Sequence, residues 1–347
     1  MQAAIFEGPG KLVIKDDYPK PAISRPDQAL IRVTGVGICG TDLHILQDPP
    51  AHPAKPGIVE GHEFTGVIEA LGDDIQGYEV GESVLIDPHP GCGVCDECRR
   101  QRPDRCIPLY ASSGEPGHPD TIGIFSDGAM AEYVVVPRQS LYKVSQSVPS
   151  HIAALGEPLA CVVNSSDKLK VQPGEYVVVL GAGPIGLLFT ALLLANGASK
   201  LIVSEPSEYR QNAARKVGAD IVVHPDDLLR TLKEEMPDGP DVVVEAVGPL
   251  LPQTIKMARA GGRVLQFGHD ETVNPEIPVG EMLKKEITIY SGFIGRYSFE
   301  KTARIMESGK LPLDVIVSHR MPLSKVHEGI ELLREGKGLK IVLEPGE

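Results

Sequence analysis

The sequence has no tryptophan, no low-complexity tract, no excess of basic residues and no long apolar run free of breakers. Asp and Glu outnumber Lys and Arg by 47 to 34, a formal charge of −13. That charge repels phosphate backbones and anionic lipid, so nucleic acid and membrane surfaces are not expected partners. With 42% hydrophobic residues, 37 Gly and 30 Pro, the composition excludes a fibrous or disordered chain and fits a turn-rich globular one. The opening stretch lacks a basic start followed by an apolar core, which is not the pattern of a secretory signal, and a cytoplasmic protein is expected. The one long apolar run, Tyr176 to Ala198, is broken by Gly181, Gly183, Pro184 and Gly186, which suits a buried strand, turn and helix better than a membrane span.

At 347 residues the chain exceeds a single ordinary core, and two domains are expected. Residues 1 to about 155 read as short strands broken by turns, among them 29–34 and 64–70. From about Glu175 apolar strands alternate with helices (YVVVL, KLIVSE, ADIVV, DVVVEAVG, GGRVLQFG), the rhythm of a doubly wound parallel sheet. The tail carries no second nucleotide signature: a helix around 299–308, a strand near Val315, a helix over 323–334 and the strand LKIVLEP. It is assigned back to the first domain. The expected division is therefore 1–155 with 293–347, against 156–292.

Six cysteines in such a chain read as thiols or metal ligands rather than disulfides. Cys92, Cys95, Cys98 and Cys106 place four soft ligands within a lobe at about 91–107, the spacing of a closed tetrahedral zinc site that stabilises structure. Two disulfides are the alternative, although cysteines this close pair poorly with one another. Cys161 lies outside the set and reads as a core thiol.

The motifs Cys39-Gly-Thr41-Asp42-Leu-His44 and Gly61-His62-Glu63-x2-Gly66-x5-Gly72, with the cysteine lobe and the Gly-rich turn, resemble the medium-chain zinc-dependent alcohol dehydrogenases over essentially the whole chain. The branch most similar is that of sorbitol (polyol) and L-threonine dehydrogenases. This resemblance implies an α/β chain with a GroES-like, mostly-β catalytic domain and a Rossmann coenzyme domain. It further implies a zinc with an open position, held by Cys39, His62 and either Glu63, Glu157 or a bound water, besides the structural zinc of the lobe. At an open position zinc polarises an alcohol so that its proton leaves near neutral pH and hydride can pass to a nicotinamide. By the same resemblance Thr41 touches the alcohol oxygen, His44 passes the proton to solvent, Asp42 orients His62, and Glu63 counts among the catalytic residues as well as the ligands. A homodimer or homotetramer is implied too.

Val177-Val-Val-Leu-Gly181-Ala-Gly183-Pro184-Ile185-Gly186 is a strand entering a helix through G-x-G-x-x-G. Its glycines admit a pyrophosphate to the helix N-terminus. Glu205 follows 19 residues after Gly186, where a carboxylate accepts ribose hydroxyls and repels a 2'-phosphate, so NAD is expected over NADP. Arg210 borders the adenine in this reading, although an arginine there could also serve a phosphate. Val247 and Phe267 end later strands at the sheet's carboxyl edge, where cofactor contacts are expected.

The substrate is less determined. Arg296-Tyr297 resembles an arginine–tyrosine pair that lines the polyol pocket of sorbitol dehydrogenases, and threonine dehydrogenases also carry Gly-Arg there. As a plain structural alternative, Arg296 pairs with an acid. Ala160-Cys161-Val-Val-Asn164 and the missing tryptophans depart from the threonine enzymes, and a Gly/Pro-rich loop between Cys106 and Tyr133 stands where a pocket rim would. The expected function is hydride transfer from a secondary alcohol of a polyol, sugar or sugar acid to NAD. The rivals are L-threonine 3-dehydrogenation and, in another class, a non-catalytic zinc- and nucleotide-binding protein. The combination of Thr41, His44 and an open metal site speaks against the last.

Overall fold

A computed structural model describes residues 1–270 and 273–346. The chain divides into two compact units: Met1–Ala160 with Ile294–Ser308 and Val317–Glu347, and Cys161–Phe293 with Gly309–Ile316.

The first unit is built on a seven-stranded sheet that winds through Val317–Pro322, Lys340–Glu344, Gln28–Ile38, Glu63–Leu71, Ser83–Ile86 and Leu141–Lys143, with Tyr133–Pro137 also paired to Gln28–Ile38. Its pairs are antiparallel except Val317–Pro322 with Lys340–Glu344. Phe64, Ile31, Val36, Ile86 and Ile341 fill its core as the alternation of these strands requires. The strand expected near Val315 begins at Val317. Pro312 starts a 3-10 turn over Leu313–Val315 instead, since proline cannot donate to a ladder.

Two elements of this sheet bring the first motifs together. Glu63–Leu71 starts directly at Glu63, and Gln28–Ile38 runs out into Cys39, the residue before the short helix Gly40–Ile45. In register, Gly37 faces Glu63 on one side and Val342 on the other. Behind His62 the backbones cross without room for side chains. A Cβ on Gly123 would stand 2.2 Å from the Gly61 carbonyl oxygen, and one on Gly128 would stand 2.3 Å from it. Ala129 N–H donates to that same carbonyl at 2.9 Å, and Met130 N–H donates to the Glu60 carbonyl at 2.8 Å.

The second unit is a six-stranded sheet in the order Ile221–Val223, Lys200–Ser204, Tyr176–Leu180, Val242–Glu245, Arg263–Gln266, Thr288–Ser291, parallel throughout. The central strands are almost unbroken valine because both of their faces are covered, as in Val177–Val179 and Val242–Val244, all fully buried. Strand order reverses between Tyr176–Leu180 and Val242–Glu245, the switch point where such sheets open a crevice. The helix Pro184–Ala195 follows the first of these strands with proline at its start, where a missing N–H costs nothing. The expected fold class, a mostly-β domain beside a doubly wound parallel sheet, is the one observed.

Candidate metal and nucleotide sites

Cys39, His62 and Glu63 converge, their ligand atoms all lying within 4.8 Å of one another. Sulfur, imidazole nitrogen and carboxylate at that separation suit a zinc ion with a corner left for a further ligand. Asp42, fully buried, organises the set. Its Oδ2 accepts the Cys39 N–H at 2.7 Å, and its Oδ1 lies 3.3 Å from His62 Nδ1. Nδ1 faces this carboxylate without a hydrogen bond between them, an arrangement in which a metal on Nε2 would leave Asp42 to orient the ring. Thr41 Oγ1 lies 3.6 Å from Cys39 Sγ, while His44 is exposed one turn further along.

The protonation of these groups is shaped by their surroundings. Burial pushes the Cys39 thiol up, and the neighbouring Glu63 charge adds to it. Burial works to lower His62, but Cys39 and Asp42 outweigh it and hold the imidazole well above its ordinary range. A metal binding these ligands would displace their protons.

The Glu63 carboxylate also receives Lys340 Nζ at 2.5 Å, and the ammonium donates onward to the Ile38 carbonyl at 3.2 Å. Lys340 and Glu63 are only 4% and 2% exposed, so this is a desolvated ion pair rather than a surface one. Glu157 stands in the first turn of the helix Gly156–Leu169, buried, and outside the cluster that joins Cys39, His62 and Glu63.

Three further groups here carry no motif. Glu60, 1% exposed, has two carboxylate oxygens without a hydrogen-bond partner, and burial with the charge of Asp42 holds it well above the usual carboxylate range. Burial raises Asp87 to about 7, against the His89 N–H that donates to it at 2.8 Å. Burial lowers His89 to about 3, with a smaller push from His62. A buried acid inside an apolar stretch such as Ile58-Val59-Glu60 is the only signal the sequence offered for any of them.

In the lobe, the sulfurs of Cys92, Cys95, Cys98 and Cys106 also lie within 4.8 Å of one another, and none is joined in a disulfide. Backbone N–H groups point at them: Cys92 N–H toward Cys106 Sγ at 3.2 Å, Cys95 N–H toward Cys92 Sγ at 3.3 Å. Hydrogen bonds from the backbone of Cys98 and Ile107 draw Cys95 down to about 6, whereas burial pushes Cys98 up to about 12. Arg296 and Tyr297 sit against this lobe. Arg296 Nε lies 3.1 Å from Asp104 Oδ1, Arg102 holds the same carboxylate at 2.8 Å, and the Tyr297 hydroxyl donates to the Cys98 carbonyl at 3.4 Å.

In the second unit a cavity of about 830 Å³ is lined by Gly181, Gly183, Glu205, Arg210 and Val247 among others. A Cβ on Gly186 would stand 2.0 Å from the Gly181 carbonyl oxygen, so strand and helix meet at van der Waals limits. Pro184 and Ile185 form the half-buried start of the helix. Glu205 is buried, and its carboxylate accepts Ala182 N–H at 2.8 Å and Ser207 N–H at 2.9 Å. Phe267 turns its ring onto Phe189 at a centroid distance of 5.1 Å. Among the described residues no helix is long and apolar enough to cross a membrane.

Residues 25–146 match the family described as alcohol dehydrogenase GroES-like domain, and residues 184–308 match zinc-binding dehydrogenase. The chain belongs to the zinc-dependent medium-chain alcohol dehydrogenases, oxidoreductases that use a nicotinamide nucleotide. Within them it lies in the sorbitol and threonine branch. It is 36% identical to the L-threonine 3-dehydrogenase of Pyrococcus horikoshii over 96% of this chain and 95% of that one. It is 30% identical to the sorbitol dehydrogenase of Bombyx mori over 98% and 97%. A protein of Sinorhizobium meliloti 1021, described as a zinc-binding dehydrogenase bound to NADP, superposes with a TM-score of 0.90 at 29% identity, covering 99% of each chain.

Proposed function

We propose that this chain oxidises a secondary alcohol of a small polyhydroxylated substrate (a polyol, sugar or sugar acid) to the ketone, with NAD. The observation that carries this reading is the convergence of Cys39, His62 and Glu63 beside the Thr41 hydroxyl. These three residues would hold a catalytic zinc, and the four lobe cysteines would hold a structural one. When bound, zinc supplies a Lewis acid that lowers the alcohol's pKa, and NAD supplies the hydride acceptor.

The remaining work falls to the chain. Asp42 fixes the Cys39 backbone and the His62 ring, so that both ligands are held in one orientation before any metal arrives. Thr41 Oγ1 receives the proton of the substrate hydroxyl as it releases its own along a relay toward the exposed His44 imidazole, which passes a proton to water. Lys340 holds the Glu63 carboxylate on its far side, which keeps that oxygen from rotating away. Glu205 is held by two backbone N–H donors, in a position to accept ribose hydroxyls and repel a 2'-phosphate, which favours NAD over NADP.

A second reading, oxidation of L-threonine, is favoured by the Pyrococcus relative. Zinc-loaded protein should reduce NAD, read by absorbance, with members of a polyol and sugar-acid panel. Turnover of L-threonine alone would transfer the assignment to the second reading, and turnover of no alcohol would remove both.

A further inference from the structure

We infer that a second cavity, within the first unit, binds a small polyhydroxylated monocarboxylate such as a six-carbon sugar acid. Its volume is about 400 Å³, and its lining includes Arg32, Thr34, Ser83, Ser150, Val67 and Val148. Neither set of metal ligands borders it, and Thr34 lies five residues before Cys39, roughly 16 Å along the strand at about 3.3 Å per residue. The cavity opens at a break in the sheet. On one side of Gln28–Ile38 the ladder with Tyr133–Pro137 ends at Arg32, and the ladder with Lys340–Glu344 begins only at Val36. On the other side Val33 pairs with Gly66 and Gly35 with Thr65, which makes Thr34 the extra residue of a bulge. A bulge gives up ladder bonds and re-aims a side chain, and bulges gather beside sites that bind or react. Backbone groups left out of a ladder need other partners.

The walls are fixed without a ligand. Val144 N–H donates to the Ser83 carbonyl at 3.0 Å, and Gln146 Nε2 donates to the Gly81 carbonyl at 2.9 Å, so the segment after Leu141–Lys143 is tied to the sheet. A Cβ on Gly35 would stand 3.1 Å from the Ser150 carbonyl oxygen, which seats the backbone at Ser150 directly on the bulged strand. A preformed cavity of this kind spares a ligand the cost of ordering it.

Charge and lining select the ligand. Glu344, the acid in the wall, takes both Arg320 Nε at 2.8 Å and Arg320 Nη2 at 2.7 Å on one oxygen, and is matched by that guanidinium. Arg32 is matched less well. It reaches Glu69 only at 3.9 Å, and Lys20 stands 3.3 Å from the other oxygen of the same carboxylate. Two cations thus share one acid, and a positive charge is left over at the cavity in a chain whose formal charge is −13. A guanidinium receives a carboxylate through two parallel hydrogen bonds. A phosphate dianion would find one under-matched cation and the Glu344 carboxylate, a poorer fit than a monoanion. Hydroxyls on Thr34, Ser83 and Ser150 complement hydroxyls on a ligand, and Val67 with Val148 offers apolar surface to its C–H faces. The volume stands near the lower end of the roughly 300–1,000 Å³ of small-molecule sites, room for a six-carbon acid and too little for a dinucleotide.

The test is calorimetric titration of D-gluconate, sorbitol and inorganic phosphate into the full-length, zinc-loaded protein, with Arg32→Met and Ser83→Ala as variants at the cavity and Cys39→Ser as a variant at the metal site. Wild type should bind gluconate about tenfold or more tightly than sorbitol, which lacks the carboxylate, and more tightly than phosphate. Arg32→Met should weaken gluconate about tenfold or more and Ser83→Ala severalfold, the scale of a charge-assisted and of a neutral hydrogen bond, with unchanged urea midpoints. Cys39→Ser should leave the gluconate affinity within about twofold. No binding to wild type, phosphate bound as tightly as gluconate, or an affinity untouched by Arg32→Met would overturn the proposal. Loss of binding in Cys39→Ser would overturn it too, by returning gluconate to the metal site. Losses that track lowered urea midpoints in both cavity variants would assign these residues to stability and overturn it as well.

Discussion

Lys340→Met would decide which carboxylate serves the catalytic metal. The substitution keeps a flexible stem of similar length and removes the cation that faces Glu63. Neither partner of the pair reaches water, so removing one strands a buried charge, at about 3–5 kcal/mol in the metal-free protein. A divalent cation among Cys39, His62 and Glu63 would replace the missing positive charge. The zinc-loaded variant should therefore lose less, and linkage requires zinc affinity to rise by the difference. If the metal restores half of a loss of about 4 kcal/mol, the roughly 2 kcal/mol regained is about thirtyfold in zinc Kd. Urea unfolding with and without zinc gives the two stabilities, and competition with a chromophoric chelator gives the affinity. Equal losses in both forms with an unchanged zinc Kd would refute the reasoning and pass the carboxylate's role to Glu157.

Cys39→Ser should abolish turnover while circular dichroism and NADH binding stay as in wild type; an unfolded variant would contradict the separation of a catalytic from a structural metal. Glu205→Ala should lower the preference for NAD over NADP by roughly tenfold or more, the worth of a charge-assisted hydrogen bond and a lost repulsion, and equal kcat/KM ratios before and after would show that the residue does not face the ribose. Asp87 carries the pH signal: its carboxyl is raised from 3.8 to about 7, so between those values the folded chain keeps a proton the unfolded chain has released, and stability falls as pH rises through that window. Asp87→Asn should flatten that slope in a denaturation series, and an unaltered slope would exclude the assignment.

The parts of the site readable in advance are those whose chemistry is tied to short spacing. Four cysteines within a lobe, a histidine beside a glutamate and a glycine-rich turn between strand and helix each need only local backbone to work. The parts that escaped depend on register. Lys340 reaches Glu63 across 277 residues because Lys340–Glu344 and Glu63–Leu71 flank the same strand, and no local pattern encodes that meeting. The bond between Arg296 and Asp104 spans 192 residues in the same way.

The crossing of bare backbone behind His62 also governs what can change in this molecule. The excursion that begins after Cys106 returns through Gly123 and Gly128, whose α-carbons are pinned against the peptide preceding the imidazole ligand. Its far portion, including the Gly/Pro stretch around Gly114 and Gly117, has open space at those glycines. Length can drift there at small thermodynamic cost, while the foot of the excursion tolerates no added methyl group. Variation in that excursion is thereby uncoupled from the placement of the imidazole ligand.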